Sequence, residues 1–149
     1  MRDDDVISLS GLVLEVARGL ERSVACVHRG HGLQGNEFSA LIRLSRNPGR
    51  QMRMSALASQ LGVSNSGTTS IVDRLAARGL VTRDVDPADR RSWVVQLTDD
   101  GDDLLRADVA DLLPVLREVL VAPLGDDAAA FVGVLERVRA EVAPGATAR

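Results

Sequence analysis

Residues 55–79 read "SALASQLGVSNSGTTSIVDRLAARG", and the fold turns on how that stretch divides. "SALASQLG" (55–62) has the length of a two-turn helix, with Ser55 as its expected N-cap and Gly62 as the residue that ends it. After a break of about two residues, 64–79 predicts a second helix closed by Gly79. Leu57, Ala58 and Leu61 on the first can pack against Ile71, Val72 and Leu75 on the second, with the small Ala58 at the crossing. Two short helices joined by a glycine-containing turn describe a helix-turn-helix.

The next segment of the chain is β-branched. "LVTRDV" (80–85) and "SWVVQLT" (92–98) are strand-like, and the six residues between them are rich in turn formers. A helix-turn-helix succeeded directly by a β-hairpin is a winged helix. Trp93 is expected to anchor the returning strand.

Working outward, Leu9, Leu12, Val16, Leu20, Val24 and Val27 recur every three or four residues, which predicts an amphipathic N-terminal helix. "HRGHGLQG" (28–35) breaks it. "NEFSALIRLSRN" (36–47) predicts a further helix, capped near Asn36 and ended by "NPGR", and "QMRMS" (51–55) is brief and extended. On the other side, "TDDGDDLLRADVADLLPVLREVL" (98–120) starts a long helix. Thr98 is its expected cap, aspartates complement the helix dipole, and Pro114 should kink it. A last helix over about 126–142 carries Phe131, Val134, Leu135, Val138 and Val142 on one side, and "PGATAR" reads as a frayed tail. The expected class is mainly α with a small β-hairpin wing (α+β). It forms one domain over 1–149, with the winged helix-turn-helix at about 48–98 between helices at about 6–30 and 99–142.

Composition narrows the function. No run of about 18 apolar residues exists, so no membrane span is expected. The acidic start "MRDDDVISLS" lacks the order of a signal peptide, and the single Cys26 allows no internal disulfide, so a cytoplasmic protein is expected. The net charge of -3 hides an asymmetry. Residues 43–91 hold nine arginines against four acids, while the rest holds nine arginines against 17 acids. A basic middle in an acidic chain suits a surface that meets a polyanion.

In a helix-turn-helix the second helix enters the major groove with its N-terminal residues leading. Here these are Ser64, Asn65, Ser66, Gly67, Thr68, Thr69 and Ser70, short and uncharged. Hydroxyls can bond phosphate or base edges, threonine methyls can touch thymine methyls, and Asn65 could read adenine. The alternative is a helix start that merely caps itself. Gly67 fits either a close approach to DNA or a loosened helix start. Arg74 either reaches a phosphate or pairs with Asp73 or another nearby acid. The wing tip carries Asp89, Arg90 and Arg91; one arginine can enter a narrow minor groove while the other grips phosphate or pairs with Asp89.

The run "ALASQLGVSNSGTTSIVDRLAARGLVTRDVDPADRRSWVVQLTDDG" resembles the core of the MarR family (multiple-antibiotic-resistance regulators), closely over roughly 54–101 and in layout only on the flanks. The resemblance implies an obligate homodimer, joined through its N- and C-terminal helices, on a pseudo-palindromic double-stranded DNA operator. It implies that residues 64–70 lead the recognition helix, that Arg91 enters the minor groove, that Asp89 orients it, and that Arg90 is a phosphate or structural partner. Members usually repress transcription and often release DNA when a small-molecule effector binds. Gly67 and the Ser/Asn/Thr-rich recognition helix depart from the common pattern and leave the operator sequence open. Dimerisation has separate support, because apolar stripes at both ends are best buried by pairing.

Other chemistry is sparse. Cys26 reads as a packing residue, with peroxide sensing the sharper alternative. His28 and His31 read as surface or helix-end histidines, with a shared metal the alternative. No nucleophile–base pair, phosphate-binding glycine loop or paired metal motif appears, so no catalytic residue, metal or cofactor is expected. The leading expectation is a sequence-specific transcriptional regulator; the alternative is a winged-helix module for protein interaction or an architectural role without a specific operator.

Overall fold

The computed structural model describes residues 2–142. It divides into two compact units, Met1–Leu112 and Leu113–Arg149.

The first unit opens with α1 (Asp3–Gly30), whose first turn carries Asp3, Asp4 and Asp5 at the positive end of the helix dipole. The helix runs past the expected break at His28 and ends at His31–Gly32, where Gly32 takes a positive φ. Its stripe divides in two. Leu9, Leu12 and Val16 are exposed, whereas Leu20, Val24 and Val27 are half-buried.

Helix α2 (Gly35–Arg46) is capped at Gln34 rather than Asn36. The Glu37 carboxylate accepts the Gln34 backbone N–H at 2.9 Å and thereby closes the first turn. Strand β1 (Gln51–Arg53) leads directly into α3 (Met54–Leu61), so the N-cap is Arg53 and not Ser55. Gly62, left-handed at φ 67°, ends α3 as expected.

Helix α4 (Asn65–Ala77) comes next. The hairpin is β2 (Val81–Asp86) and β3 (Asp89–Leu97), and with β1 it makes an antiparallel sheet of order β1-β3-β2. The expected helix-turn-helix packing holds, with Leu57, Ala58, Ile71, Val72 and Leu75 all buried. They join Leu33, Leu41, Leu44, Val81, Val95, Leu97 and Leu105 in one core that spans α2, α3, α4, the sheet and the next helix, α5 (Asp99–Leu116).

The junction between hairpin and α5 is tight. Thr98 Oγ1 donates to the Gly79 carbonyl at 2.7 Å and accepts the Gly101 N–H at 3.0 Å, which makes it the helix cap the sequence suggests. The Thr98 N–H also donates to the Leu80 carbonyl at 3.1 Å. A Cβ on Gly101 would sit 2.1 Å from the Leu80 carbonyl oxygen, so only glycine fits there. Arg50, the one described non-glycine residue at positive φ, pairs with Asp99 at 2.8 Å and ties the turn before β1 to the same junction.

Pro114 lies inside α5, which continues for two residues beyond it. In the second unit a π-helical stretch (Arg117–Val121) and short turns lead to α6 (Ala128–Val142). Of the apolar side expected on this helix, Phe131 is half-buried, and Val134, Leu135, Val138 and Val142 are exposed. The expected tail 144–149 lies outside the described residues.

Candidate nucleic-acid interface

The start of α4 divides the seven polar positions singled out in the sequence. Ser64 is the N-cap, its Oγ accepting the Gly67 N–H at 3.1 Å. A Cβ on Gly67 would stand 3.2 Å from the Ser64 Oγ, a tight contact with a side chain that can turn. The helix is regular there, so of the two expected reasons for this glycine the loosened start is not seen.

Thr68 is fully buried, with its hydroxyl donating to the Ser64 carbonyl. The expectation that Thr68 faces DNA is therefore overturned; its methyl packs inward because its position lies on the core face of the helix. Thr69 and Ser70 donate to the carbonyls of Asn65 and Ser66, four residues back, at 3.0 and 3.1 Å. Ser64, Asn65, Ser66 and Ser70 are exposed, and Thr69 is half-buried.

The wing is tighter and less regular than six loop residues suggest. Only Pro87 and Ala88 form the turn, and Asp86 pairs with Asp89. The next pair is Val85 with Trp93, so Arg90, Arg91 and Ser92 have no partner on β2 and bulge from the strand. Asp89 builds this bulge. Its carboxylate accepts the Arg91 backbone N–H at 3.1 Å and the Ser92 hydroxyl at 2.7 Å. These bonds, the Ser92 hydroxyl first, hold the Asp89 carboxyl below the usual carboxylate range. Asp89 thus acts on Arg91 through the backbone, and neither wing guanidinium pairs with it.

Asp86, not singled out in the sequence, does the same for the turn. It accepts the Ala88 N–H at 2.9 Å and the Arg53 Nε at 2.7 Å, which joins the tip to β1. Its carboxyl is also held low, chiefly by the Ala88 N–H.

The basic middle is largely engaged inside the fold. Arg74 donates through Nε to the buried Glu37 at 2.8 Å, joining α4 to the start of α2. Of the two expected partners, phosphate or an acid, the structure supplies an acid, but one 37 residues away that local sequence does not point to. Arg78 donates to the Gly32 carbonyl, and Arg50 and Arg53 hold aspartates. Arg83 lies over the Trp93 ring, its guanidinium carbon 4.4 Å from the ring centroid, and pairs with Asp73 of α4 at 3.4 Å. Trp93 does lie on the returning strand, but it is 42% exposed. Of the nine arginines of this basic middle, Arg46, Arg90 and Arg91 have guanidiniums that take part in no ion pair or hydrogen bond among the described residues.

Between α4 and the wing lies an open cleft of about 250 Å³, lined by Ser55, Asn65, Thr69, Arg83, Arg91 and Trp93, among others. No acidic residue lines it, and its free donors are the Ser55 hydroxyl, the Asn65 amide and the Arg91 guanidinium, since Thr69 donates to the Asn65 carbonyl and Arg83 is held by Asp73. Such donors suit a phosphodiester.

Both histidines lie at the end of α1, as expected, but His28 is not on the surface. His28 is buried, its Nδ1 2.9 Å from both carboxylate oxygens of the buried Asp108, and its ring stacks on Phe38. His31 pairs with Asp111 at 2.9 Å. The two therefore clasp α1 to α5, and no group of three or more metal-ligating side chains occurs among the described residues. Cys26 is exposed, not packed. No helix of the described residues is long and apolar enough to cross a membrane.

A three-stranded sheet whose hairpin projects beside the second helix of a helix-turn-helix defines a winged-helix protein. Residues 31–92 match the model of the MarR family, so over this winged-helix region the chain is similar to that family. It is 35% identical over 78 residues to the transcriptional repressor MprA of Escherichia coli (strain K12), a match covering 52% of this chain and 44% of that protein. The match thus spans under half the length of that relative. It is 29% identical over 119 residues to the HTH-type transcriptional regulator PecS of Dickeya dadantii, covering 79% of this chain and 72% of that one. A MarR family transcriptional regulator from Streptomyces coelicolor, solved in complex with DNA, superposes with a TM-score of 0.85 at 25% identity, covering 97% and 91% of the two chains.

Proposed function

We propose that this protein is a sequence-specific, DNA-binding transcriptional regulator and not an enzyme. The exposed start of α4, Asn65, Ser66 and Ser70, enters the major groove. The bulged wing places Arg91 in the adjacent minor groove and Arg90 on phosphate. The observation that carries this reading is the pair of unpartnered guanidiniums on a bulge whose backbone Asp89 and Asp86 hold in place.

The whole chain then works as one MarR-like domain and a homodimer in the cytoplasm. Exposed Val6, Ile7, Leu9, Leu12, Val13 and Val16 on α1, and the exposed apolar residues of α6, support pairing with a second copy. A two-fold dimer sets two α4 helices about one DNA turn apart on a pseudo-palindromic operator. Repression, and release by a small-molecule effector, complete the reading on the strength of the family.

Binding to duplexes from the chain's own upstream region, titrated against salt and random competitor, tests it. A specific dimer should prefer its site by at least about 10³ over random DNA. Binding without sequence preference at low salt would leave only an architectural or protein-interaction module.

A further inference from the structure

The only tryptophan of the chain is placed where a regular hairpin has no need of it. Trp93 sits at the last in-register pair before the bulge, opposite Val85. Alternation along β3 puts it on the same face as the buried Val95, yet it is 42% exposed. Arg83 lies over the ring, its guanidinium carbon 4.4 Å from the ring centroid, and its Nη1 reaches Asp73 of α4. It lines the cleft between Asn65 and Thr69 of α4 and Arg91 and Ser92 of the wing.

Any strand that passes from a major groove filled by α4 to a minor groove entered by the wing must cross this cleft. The donors on both sides suit its phosphates, and an exposed aromatic ring between them suits the apolar face of a sugar. We propose that Trp93 is a DNA-contacting residue, its indole ring serving as the platform on which a deoxyribose of the crossing strand packs, with Arg83 as the positioning residue that holds the ring. This rests on the DNA-binding reading above and adds to it a contact made by this chain's own tryptophan.

With one tryptophan and no tyrosine, intrinsic fluorescence reports on this residue alone. The full-length protein is titrated with a duplex from its own upstream region, and binding is followed independently by the anisotropy of labelled DNA. Acrylamide should quench Trp93 less in the complex than in the free protein, the protection saturating with the anisotropy signal. In Trp93→Leu, shown to be folded by circular dichroism, affinity should fall about tenfold, the scale of one aromatic stacking contact. The slope of log affinity against log salt should stay unchanged, since no charge is lost. If DNA binds by anisotropy while Trp93 stays as open to acrylamide as before, or folded Trp93→Leu binds as tightly as wild type, the platform is wrong and the DNA-binding reading stands. If neither specific nor random duplex binds, both fall.

Discussion

The two ends of the β-hairpin are built on opposite terms. At its base, where β3 meets α5, Thr98 bonds Gly79, Leu80 and Gly101, and a methyl group on Gly101 would strike backbone. At its tip three residues of β3 have no partner on β2, and two of them are arginines with free guanidiniums. At the base the Thr98 hydroxyl and the Gly79, Leu80 and Gly101 backbone groups are all used within the fold. The tip keeps its charges for something else, and the rigid base determines where they point.

The strongest way to break that contrast is at the base. Alanine in a helix is ordinarily favoured over glycine by about 1 kcal/mol. Gly101→Ala should nevertheless destabilise the protein, by about 3 kcal/mol, because its Cβ meets the Leu80 carbonyl oxygen at 2.1 Å. Chemical denaturation measures it, and a stabilised variant would show that α5 can slide and the base is not fixed.

Asp89→Ala sharpens the comparison at the tip, because two explanations predict opposite signs. If Asp89 only weakened the local positive charge, removing it would tighten DNA binding. If it holds the bulge through the Arg91 amide and Ser92 hydroxyl, its loss leaves Arg91 to be ordered on binding. Affinity should then drop by roughly 3- to 10-fold, the cost of immobilising one long side chain. The pH dependence comes from the same bonds. The carboxyls of Asp86 and Asp89 are held below their ordinary value. Their contribution to stability is complete above the unfolded-state value near 4 and is lost as pH falls through the lowered folded values. The melting difference between wild type and Asp89→Asn should therefore be flat from about pH 5 to 8 and shrink only below about pH 4.

The smallest effect belongs to the start of α4. Thr68→Val removes a buried hydroxyl that bonds within its own turn, so stability should fall by about 1 kcal/mol while DNA affinity stays at the wild-type value. A loss of affinity in the folded variant would put Thr68 back among the residues that face DNA.

These contrasts also mark what local sequence can carry. The helix-turn-helix and the hairpin were legible because their signals are short-range: Gly62 and Gly79 in the left-handed region, Thr98 as a cap, and β-branched runs around a proline turn. What escaped depends on partners distant along the chain. Glu37 claims Arg74, Asp108 claims His28, and Arg53 claims Asp86, separations of 37, 80 and 33 residues. The bulge was hidden for a different reason. "DRR" (89–91) reads as loop because its register slips, although the backbone there stays extended. Six polar side chains over 64–70 overstated the candidate surface because consecutive helical positions cover all faces, and Thr68 falls on the inward one.

The most direct test of the tip is the salt dependence of DNA binding by Arg91→Ala, measured beside wild type on one duplex from the chain's own upstream region. The free guanidinium on the bulge predicts weaker binding, by about 1–3 kcal/mol for each wing, and, with one such arginine lost from each protomer of the dimer, a slope of log affinity against log salt shallower by about two, with the melting temperature unchanged. Equal affinity and an equal slope would mean that the unpaired wing arginine does not touch DNA.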